Sequence, residues 1–259
     1  MSSDGGGVVT DAVGGETASD RDARGATGGS GGSASGSDGG DAAGMIDSSI
    51  PSDAAGAFIC NLLIGSSNLV QWFNGGFLRY PGIDPTRWQL MSVAHHYTNA
   101  WRSPTDAAWN APLDGGHACA RASTTPDRVI FQATQWTYTS AAPWEADLTA
   151  IVDDIKAKWS SVKRVELMLA TVAPGDKLCP AAGGNTNETV LPAFAYEALD
   201  AMPAKFPGLV VALPHFEVPC SDFIGNGTAP QYAPNANATT GPAVMDVANM
   251  FGAYYAQHP

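Results

Sequence analysis

The 259 residues carry a formal net charge of −12, and the acidic surplus is unevenly spread. Residues 1–56 hold nine acidic and two basic side chains, or −7, which leaves −5 for residues 57–259. Because residues 57–259 carry a small net negative charge, a negatively charged partner such as nucleic acid or an anionic membrane is disfavoured. No apolar run approaches the roughly 20 residues of a membrane-spanning helix.

Residues 1–56 are predicted to form a disordered linker. They contain no aromatic residue and are rich in Gly, Ser, Ala and Asp, so they cannot bury enough apolar surface to offset the entropy of ordering. Residues 57–259 suffice for one domain with a substantial core. The first residues lack the basic and apolar regions of a signal peptide. An acidic tether and four cysteines without a CxxC pair nevertheless favour a secreted or cell-envelope protein whose leader is removed or lies upstream.

Apolar strands and amphipathic helices alternate along residues 57–259. Residues 58–64 predict a buried strand, which a tight turn at 65–68 joins to a helix. Further strands are predicted at 87–96, 128–136, 162–172 and 208–218, and helices at 139–159, 188–204 and 241–256. This alternation predicts a three-layer α/β/α sandwich around a parallel sheet of about five strands. We take the order of the strands to be flavodoxin-like.

The expected strand order also predicts how the cysteines pair. In the order 2-1-3-4-5, the first and third strands are neighbours, and so are the fourth and fifth. Cys60 begins the first strand and Cys119 lies in the approach to the third, whereas Cys179 and Cys220 both follow strand ends. Among the three possible pairings we therefore expect Cys60–Cys119 and Cys179–Cys220.

Polar side chains follow the carboxyl ends of the predicted strands, where open α/β sheets bind their ligands. They are Ser67 and Asn68 after the first strand, His95 and His96 after the second, and Gln135 and Trp136 after the third. Serine, imidazole and amide groups are the components of acyl transfer with an oxyanion hole. A metal site of His95, His96 and Glu217 lacks any characteristic ligand spacing, so neither a metal nor a cofactor is expected.

The sequence IGSSN at 64–68 resembles the nucleophile block of the SGNH (GDSL-type) hydrolases, in which Gly-Asp-Ser holds the serine. The resemblance covers essentially all of residues 58–259. It includes the VKRVEL strand, the cysteine-containing loops and the closing AYYAQHP helix, which are similar to those of exported bacterial members of the family. It implies an SGNH-hydrolase-like fold and a serine esterase with Ser67 as the nucleophile.

Two other blocks depart from the family pattern. The oxyanion-hole asparagine of Gly-x-Asn-Asp corresponds to Gln135, which offers the same N–H donor on a side chain one methylene longer. The Asp-x-x-His block corresponds to 228–231, Thr-Ala-Pro-Gln, which holds neither acid nor imidazole. Because glutamine cannot take the proton of serine, His95 or His96 is the leading substitute base. Successive strand residues point to opposite faces, so at most one of the two would approach Ser67.

Each candidate also has a structural alternative. Ser67 could simply cap the following helix, and the two histidines could bond to loop backbone. Trp101 and Trp109 could form an exposed stacking surface for a sugar or aryl group, or pack under the irregular segment 97–125.

The sequence supports three hypotheses. The first is an SGNH-type hydrolase of a small ester, such as an acetyl ester of a carbohydrate. The Ser67 N–H and Gln135 would form the oxyanion hole, and Asn68, Trp101 and Trp136 would contact substrate. The second is a catalytically inactive SGNH-like domain that binds a carbohydrate or cell-surface ligand, as the missing Asp-x-x-His block suggests. The third is a tethered surface module with a protein partner. We expect a monomer in each case.

Overall fold

The computed structural model describes residues 58–94, 96–114, 119, 125–134, 138–169, 192–216 and 242–259. The strands are β1 Asn61–Gly65, β2 Trp88–Ser92, β3 Arg128–Ala133, β4 Arg164–Leu169 and β5 Val210–Ala212. The helices are α1 Asn68–Gly75, α2 Thr98–Trp101, α3 Ala141–Lys158, α4 Ala193–Lys205 and α5 Pro242–Gln257, with 3-10 turns at Phe77–Arg79, Pro85–Arg87 and Ala107–Asn110. The predicted linker and the predicted Cys179–Cys220 pair lie outside the described residues.

The five strands form one parallel sheet in the order β2-β1-β3-β4-β5. The predicted α/β fold and strand order are therefore confirmed. In this sheet Gly65 lies level with Ser92, and Asn61 lies level with Arg128. All strands point the same way, so their carboxyl ends lie along a single edge. No helix in the described part of the chain is long and apolar enough to cross a membrane.

Successive residues of a strand pack into two separate hydrophobic cores, one on each face of the sheet. Val129, Phe131 and Ala133 of β3 face the core shared with α3 and α4, whereas Ile130 faces the core shared with α1 and α5. Burial on both faces explains why the strands read as nearly continuous apolar runs. The helical spacing in α3 also predicted its inward face correctly, because the following side chains are completely buried: Trp144, Leu148, Ile151, Val152 and Ile155.

The tryptophans between β2 and β3 belong to the core. Trp101 is 0% exposed, and its ring meets those of Trp109 and Phe131 edge-on at centroid distances of 5.1 and 6.2 Å. Trp109 Nε1 donates to the carbonyl groups of Trp101 and Ser103. The hypothesis of an exposed stacking surface is therefore wrong. The helix α2 has only four residues, so these indoles provide much of the apolar cover of the sheet there.

The predicted Cys60–Cys119 disulfide is confirmed, with the two Cα atoms 5.6 Å apart. Cys60 immediately precedes β1, and its N–H donates to Asp127, which immediately precedes β3. The disulfide spans a sequence separation of 59 residues that contains α1 and β2. It therefore restricts a long loop of the unfolded chain.

A cluster of charged and polar groups is buried near the amino-terminal ends of the central strands. Arg128 and Glu166 are each 1% exposed, and Nη1 of the arginine lies 3.3 Å from Oε1 of the glutamate. Arg128 also donates to Asn61 Oδ1 and to the carbonyl of His258. The Tyr255 hydroxyl donates to Glu166 Oε2. Burial and the neighbouring Glu166 raise the pKa of Tyr255 well above its ordinary value of 10.0, so the hydroxyl keeps its proton.

Replacing both Cys60 and Cys119 by alanine should lower the free energy of unfolding by roughly 2–4 kcal/mol, because the unfolded chain regains the entropy of the open loop. Urea titrations of the wild type and the double variant, followed by tryptophan fluorescence, measure this difference. Equal unfolding midpoints with equal slopes would show that the disulfide contributes nothing.

Glu166→Gln should lower the free energy of unfolding by roughly 3–5 kcal/mol, because it leaves the Arg128 charge buried without its counter-charge. The matched control is Lys205→Met, which breaks the more exposed Lys205–Glu145 pair, 2.6 Å apart. This control should cost at most about 1 kcal/mol. Denaturant titrations at pH 7 compare the two variants, and equal losses would contradict the importance of burial.

Candidate active site

The turn after β1 contains two serines, of which Ser66 is the buried one, with 6% exposure. Its Oγ lies 2.7 Å from Asn68 Oδ1 and 3.0 Å from Gln132 Oε1, and its N–H donates to the same Gln132 oxygen at 3.2 Å. Both side-chain oxygens are acceptors, so the single hydroxyl hydrogen of Ser66 is shared between them. The polar groups of Ser66 are therefore committed to holding the turn.

Ser67 is half-buried and immediately precedes α1. Its carbonyl accepts the N–H of Val70, but its side chain makes no capping hydrogen bond. The interpretation of Ser67 as a side-chain cap is therefore wrong. Its hydroxyl has no hydrogen-bond partner among the described residues. It lies at the amino end of a helix of eight residues, where backbone N–H groups favour negative charge.

The turn depends on the absence of a side chain at Gly65. A Cβ atom there would lie 2.7 Å from Gln132 Cβ, 2.9 Å from Gln132 Oε1 and 2.8 Å from Leu69 Cδ1. The glycine is thus required by close approach. Gln132 is itself a site residue that the sequence reasoning missed by treating it only as part of a strand. The available signal was an isolated polar residue in the otherwise apolar run VIFQA.

The segment after β2 passes the carboxyl end of β1. The Val93 N–H donates to the Gly65 carbonyl at 3.0 Å. Five residues later, Thr98 reaches the end of β3, where its N–H donates to Thr134 Oγ1 and the Thr134 N–H donates to Thr98 Oγ1. Because β1 lies between β2 and β3, the segment that crosses from Val93 to Thr98 is anchored at the end of β1 by Val93 and at the end of β3 by Thr98.

His96 lies on this crossing segment, beyond the end of β2 at Ser92. The prediction that the second strand reaches the histidines is therefore wrong, and the alternation argument does not apply to them. His96 Nε2 lies 2.9 Å from Asp106 Oδ1, and the same oxygen accepts the Ala108 N–H at 2.8 Å. The imidazole stands edge-on to the buried Trp101 ring, with 5.4 Å between the centroids.

These contacts determine whether Asp106 is ionised and which nitrogen of His96 can accept a proton. The Ala108 N–H hydrogen bond, aided by His96, lowers the pKa of Asp106 below its ordinary value of 3.8, although partial burial opposes the shift. Asp106 is therefore ionised at neutral pH. When His96 donates Nε2–H to this carboxylate, Nδ1 carries the lone pair that can accept a proton.

The other predicted site residues differ in outcome. His95, Gln135 and Trp136 lie outside the described residues. Asn68 is 9% exposed, and its Oδ1 accepts the Ser66 hydroxyl. Trp101 is buried, so its prediction as a substrate contact is wrong. Within the described ranges, no three His, Cys, Asp or Glu side chains are grouped so that they could hold a metal ion.

A second histidine–carboxylate pair lies just beyond β5. His215 Nε2 is 3.1 Å from Asp200 Oδ1, and its ring lies against Tyr196 with 4.4 Å between the centroids. In the sheet, β3 and β4 separate this strand from β1. The pair is therefore useful as a comparison for His96 and Asp106.

No protein-family model matches this chain, and no curated protein matches its sequence. The likeness to SGNH hydrolases stays a prediction from the sequence motifs.

Gly65→Ala should lower the free energy of unfolding by roughly 1–3 kcal/mol, because the added methyl group would overlap both Gln132 and Leu69. Denaturant titration at pH 7 measures the loss. An unfolding midpoint equal to that of the wild type would show that β1 and β3 can move apart at Gly65 without loss of stability.

Proposed function

We propose that this protein is a serine ester hydrolase in which Ser67 is the nucleophile, His96 the general base and Asp106 the carboxylate that orients it. The observation that supports this assignment is the 2.9 Å His96–Asp106 contact, in which His96 lies on the segment anchored at the ends of β1 and β3. The pair would supply the two functions that are missing from residues 228–231, where the SGNH-like pattern has Asp-x-x-His.

In this mechanism Asp106 holds the Nε2–H of His96, and Nδ1 takes the proton of the Ser67 hydroxyl. The Ser67 oxygen attacks the ester carbonyl carbon, and backbone N–H groups at the start of α1 stabilise the charge that develops on the carbonyl oxygen. The imidazolium then protonates the leaving alkoxide, and a water molecule repeats the cycle to release the acid. Ser67 and His96 are not hydrogen-bonded in the structure, and such contacts often close only with substrate.

The substrate is proposed to be a small ester, such as an acetyl group on a carbohydrate. The Val93 N–H bonds to the Gly65 carbonyl immediately before the serine turn, and we take this closeness to favour a short acyl group. The Cys60–Cys119 disulfide fits an oxidising compartment, so we place this activity outside the cell or at its envelope.

A second candidate function is ligand binding without turnover. It is favoured by one specific observation, that the Ser67 hydroxyl bonds to no imidazole among the described residues. An inactive domain would bind a carbohydrate or cell-surface ligand at the same edge of the sheet. Turnover of an ester separates the two candidates.

The wild type should hydrolyse p-nitrophenyl acetate, and Ser67→Ala should reduce the rate to the background. His96→Gln and Asp106→Asn should each lower kcat/KM by roughly 10²–10⁴-fold, because one removes the base and the other its orientation. The matched control is His215→Gln, which alters the other histidine–aspartate pair and should leave kcat/KM unchanged.

Three results would contradict parts of this assignment. Equal rates for the wild type and Ser67→Ala would reject the hydrolase and leave ligand binding. Full activity in His96→Gln with loss of activity in His95→Gln would transfer the role of base to His95. An equal loss in His215→Gln and His96→Gln would show a general effect of histidine replacement on the fold.

A further inference from the structure

We infer that Gln132 is a positioning residue for the nucleophile, because its side-chain oxygen fixes the turn that presents Ser67. The inference rests on the proposed function, since it concerns the same serine. Gln132 lies on β3, the strand next to β1, and it is 2% exposed.

The contacts of Gln132 hold the residue immediately before the nucleophile. Its Oε1 accepts the Ser66 N–H at 3.2 Å and lies 3.0 Å from the Ser66 hydroxyl. The same hydroxyl lies 2.7 Å from Oδ1 of Asn68, the residue immediately after Ser67. The chain is therefore fixed on both sides of Ser67, while Ser67 itself keeps an uncommitted hydroxyl among the described residues.

The other end of the amide shows that Gln132 does not act on substrate directly. Its Nε2 atom is buried and has no hydrogen-bond partner among the described residues. A substrate at Ser67 cannot reach an enclosed donor, so Gln132 is not an oxyanion-hole residue. Buried donors without a partner are unfavourable, and a methionine would fill similar space without one. The oxygen of Gln132 therefore provides a reason for a glutamine at this position.

Gly65 makes this contact possible. The glutamine side chain lies where a Cβ atom on Gly65 would be 2.9 Å from Oε1. Gly65 and Gln132 thus act together: because Gly65 has no side chain, the Gln132 side chain can reach Ser66.

Three variants test the role. Gln132→Met removes both amide groups, whereas Gln132→Glu retains an oxygen acceptor for Ser66. Gln89→Met is the matched control, because Gln89 is also 2% exposed, lies on β2 and accepts the Cys119 N–H at 3.4 Å. Gln132→Met should lower kcat for p-nitrophenyl acetate by roughly 10–100-fold with little change in KM, because the nucleophile loses its alignment. Gln132→Glu should recover most of kcat, and Gln89→Met should retain it.

Hydrogen exchange of the Ser66 amide gives a measurement that does not depend on activity. The amide should be protected in the wild type, Gln132→Glu and Gln89→Met, and should exchange at least about tenfold faster in Gln132→Met. If Gln132→Met does not fold, Gln132→Asn gives the same comparison, because the shorter side chain withdraws the oxygen from Ser66.

The outcomes separate this inference from the proposed function. Unchanged Ser66 protection in Gln132→Met would overturn the role of Gln132, whatever the activity. A loss of kcat in Gln89→Met as large as that in Gln132→Met would also overturn it. A wild type without turnover would reject the hydrolase, and the exchange rates would still decide whether Gln132 fixes the turn.

Discussion

The close approach of β1 and β3 at Gly65 is the constraint on which the candidate site depends. Because Gly65 has no side chain, Gln132 lies against the backbone of β1 and its oxygen accepts the Ser66 N–H. This contact turns the chain sharply into α1 and leaves Ser67 at the start of the helix. The position of Ser67 is thus set by two neighbouring strands, and no single local motif accounts for it.

The two edges of the sheet have different physical roles. At the amino-terminal edge, Arg128, Glu166 and Tyr255 form a buried network that joins β3, β4 and α5. At the carboxyl edge, Gln132 Oε1 accepts the Ser66 N–H and holds the turn before α1. Both edges contain a buried donor without a hydrogen-bond partner among the described residues, Arg128 Nη2 at the amino-terminal edge and Gln132 Nε2 at the carboxyl edge, and such a donor costs roughly 1–3 kcal/mol. The unpaired donors therefore do not distinguish the two edges, and the candidate site at the carboxyl edge is supported by the contacts of Ser66 and His96.

The fold was predictable because its signals are local and repeated. Apolar strands alternating with amphipathic helices predicted a parallel sheet, and the assumed flavodoxin-like order, which the structure has, placed Cys60 beside Cys119. The environment of Trp101 was not predictable in this way, since its burial compensates for a short helix and depends on tertiary packing. The His96–Asp106 contact was not predictable from a sequence motif, because the two residues are ten positions apart in an irregular segment and their spacing follows neither helix nor strand periodicity. Gln132 was detectable only as a polar exception inside an apolar strand.

The SGNH-like pattern has its base at residues 228–231, where this sequence has neither an acid nor an imidazole. The base that we propose, His96, lies on the segment after β2, where Asp106 holds its imidazole. Its position depends on the paired hydrogen bonds between Thr98 and Thr134, which tie the crossing segment to the end of β3. In the proposed hydrolase, turnover depends less on the presence of a serine, a histidine and an aspartate than on the distance between Ser67 and His96. Proton transfer requires hydrogen-bond contact between these two side chains, so a domain in which they stay apart would bind a ligand without turning it over.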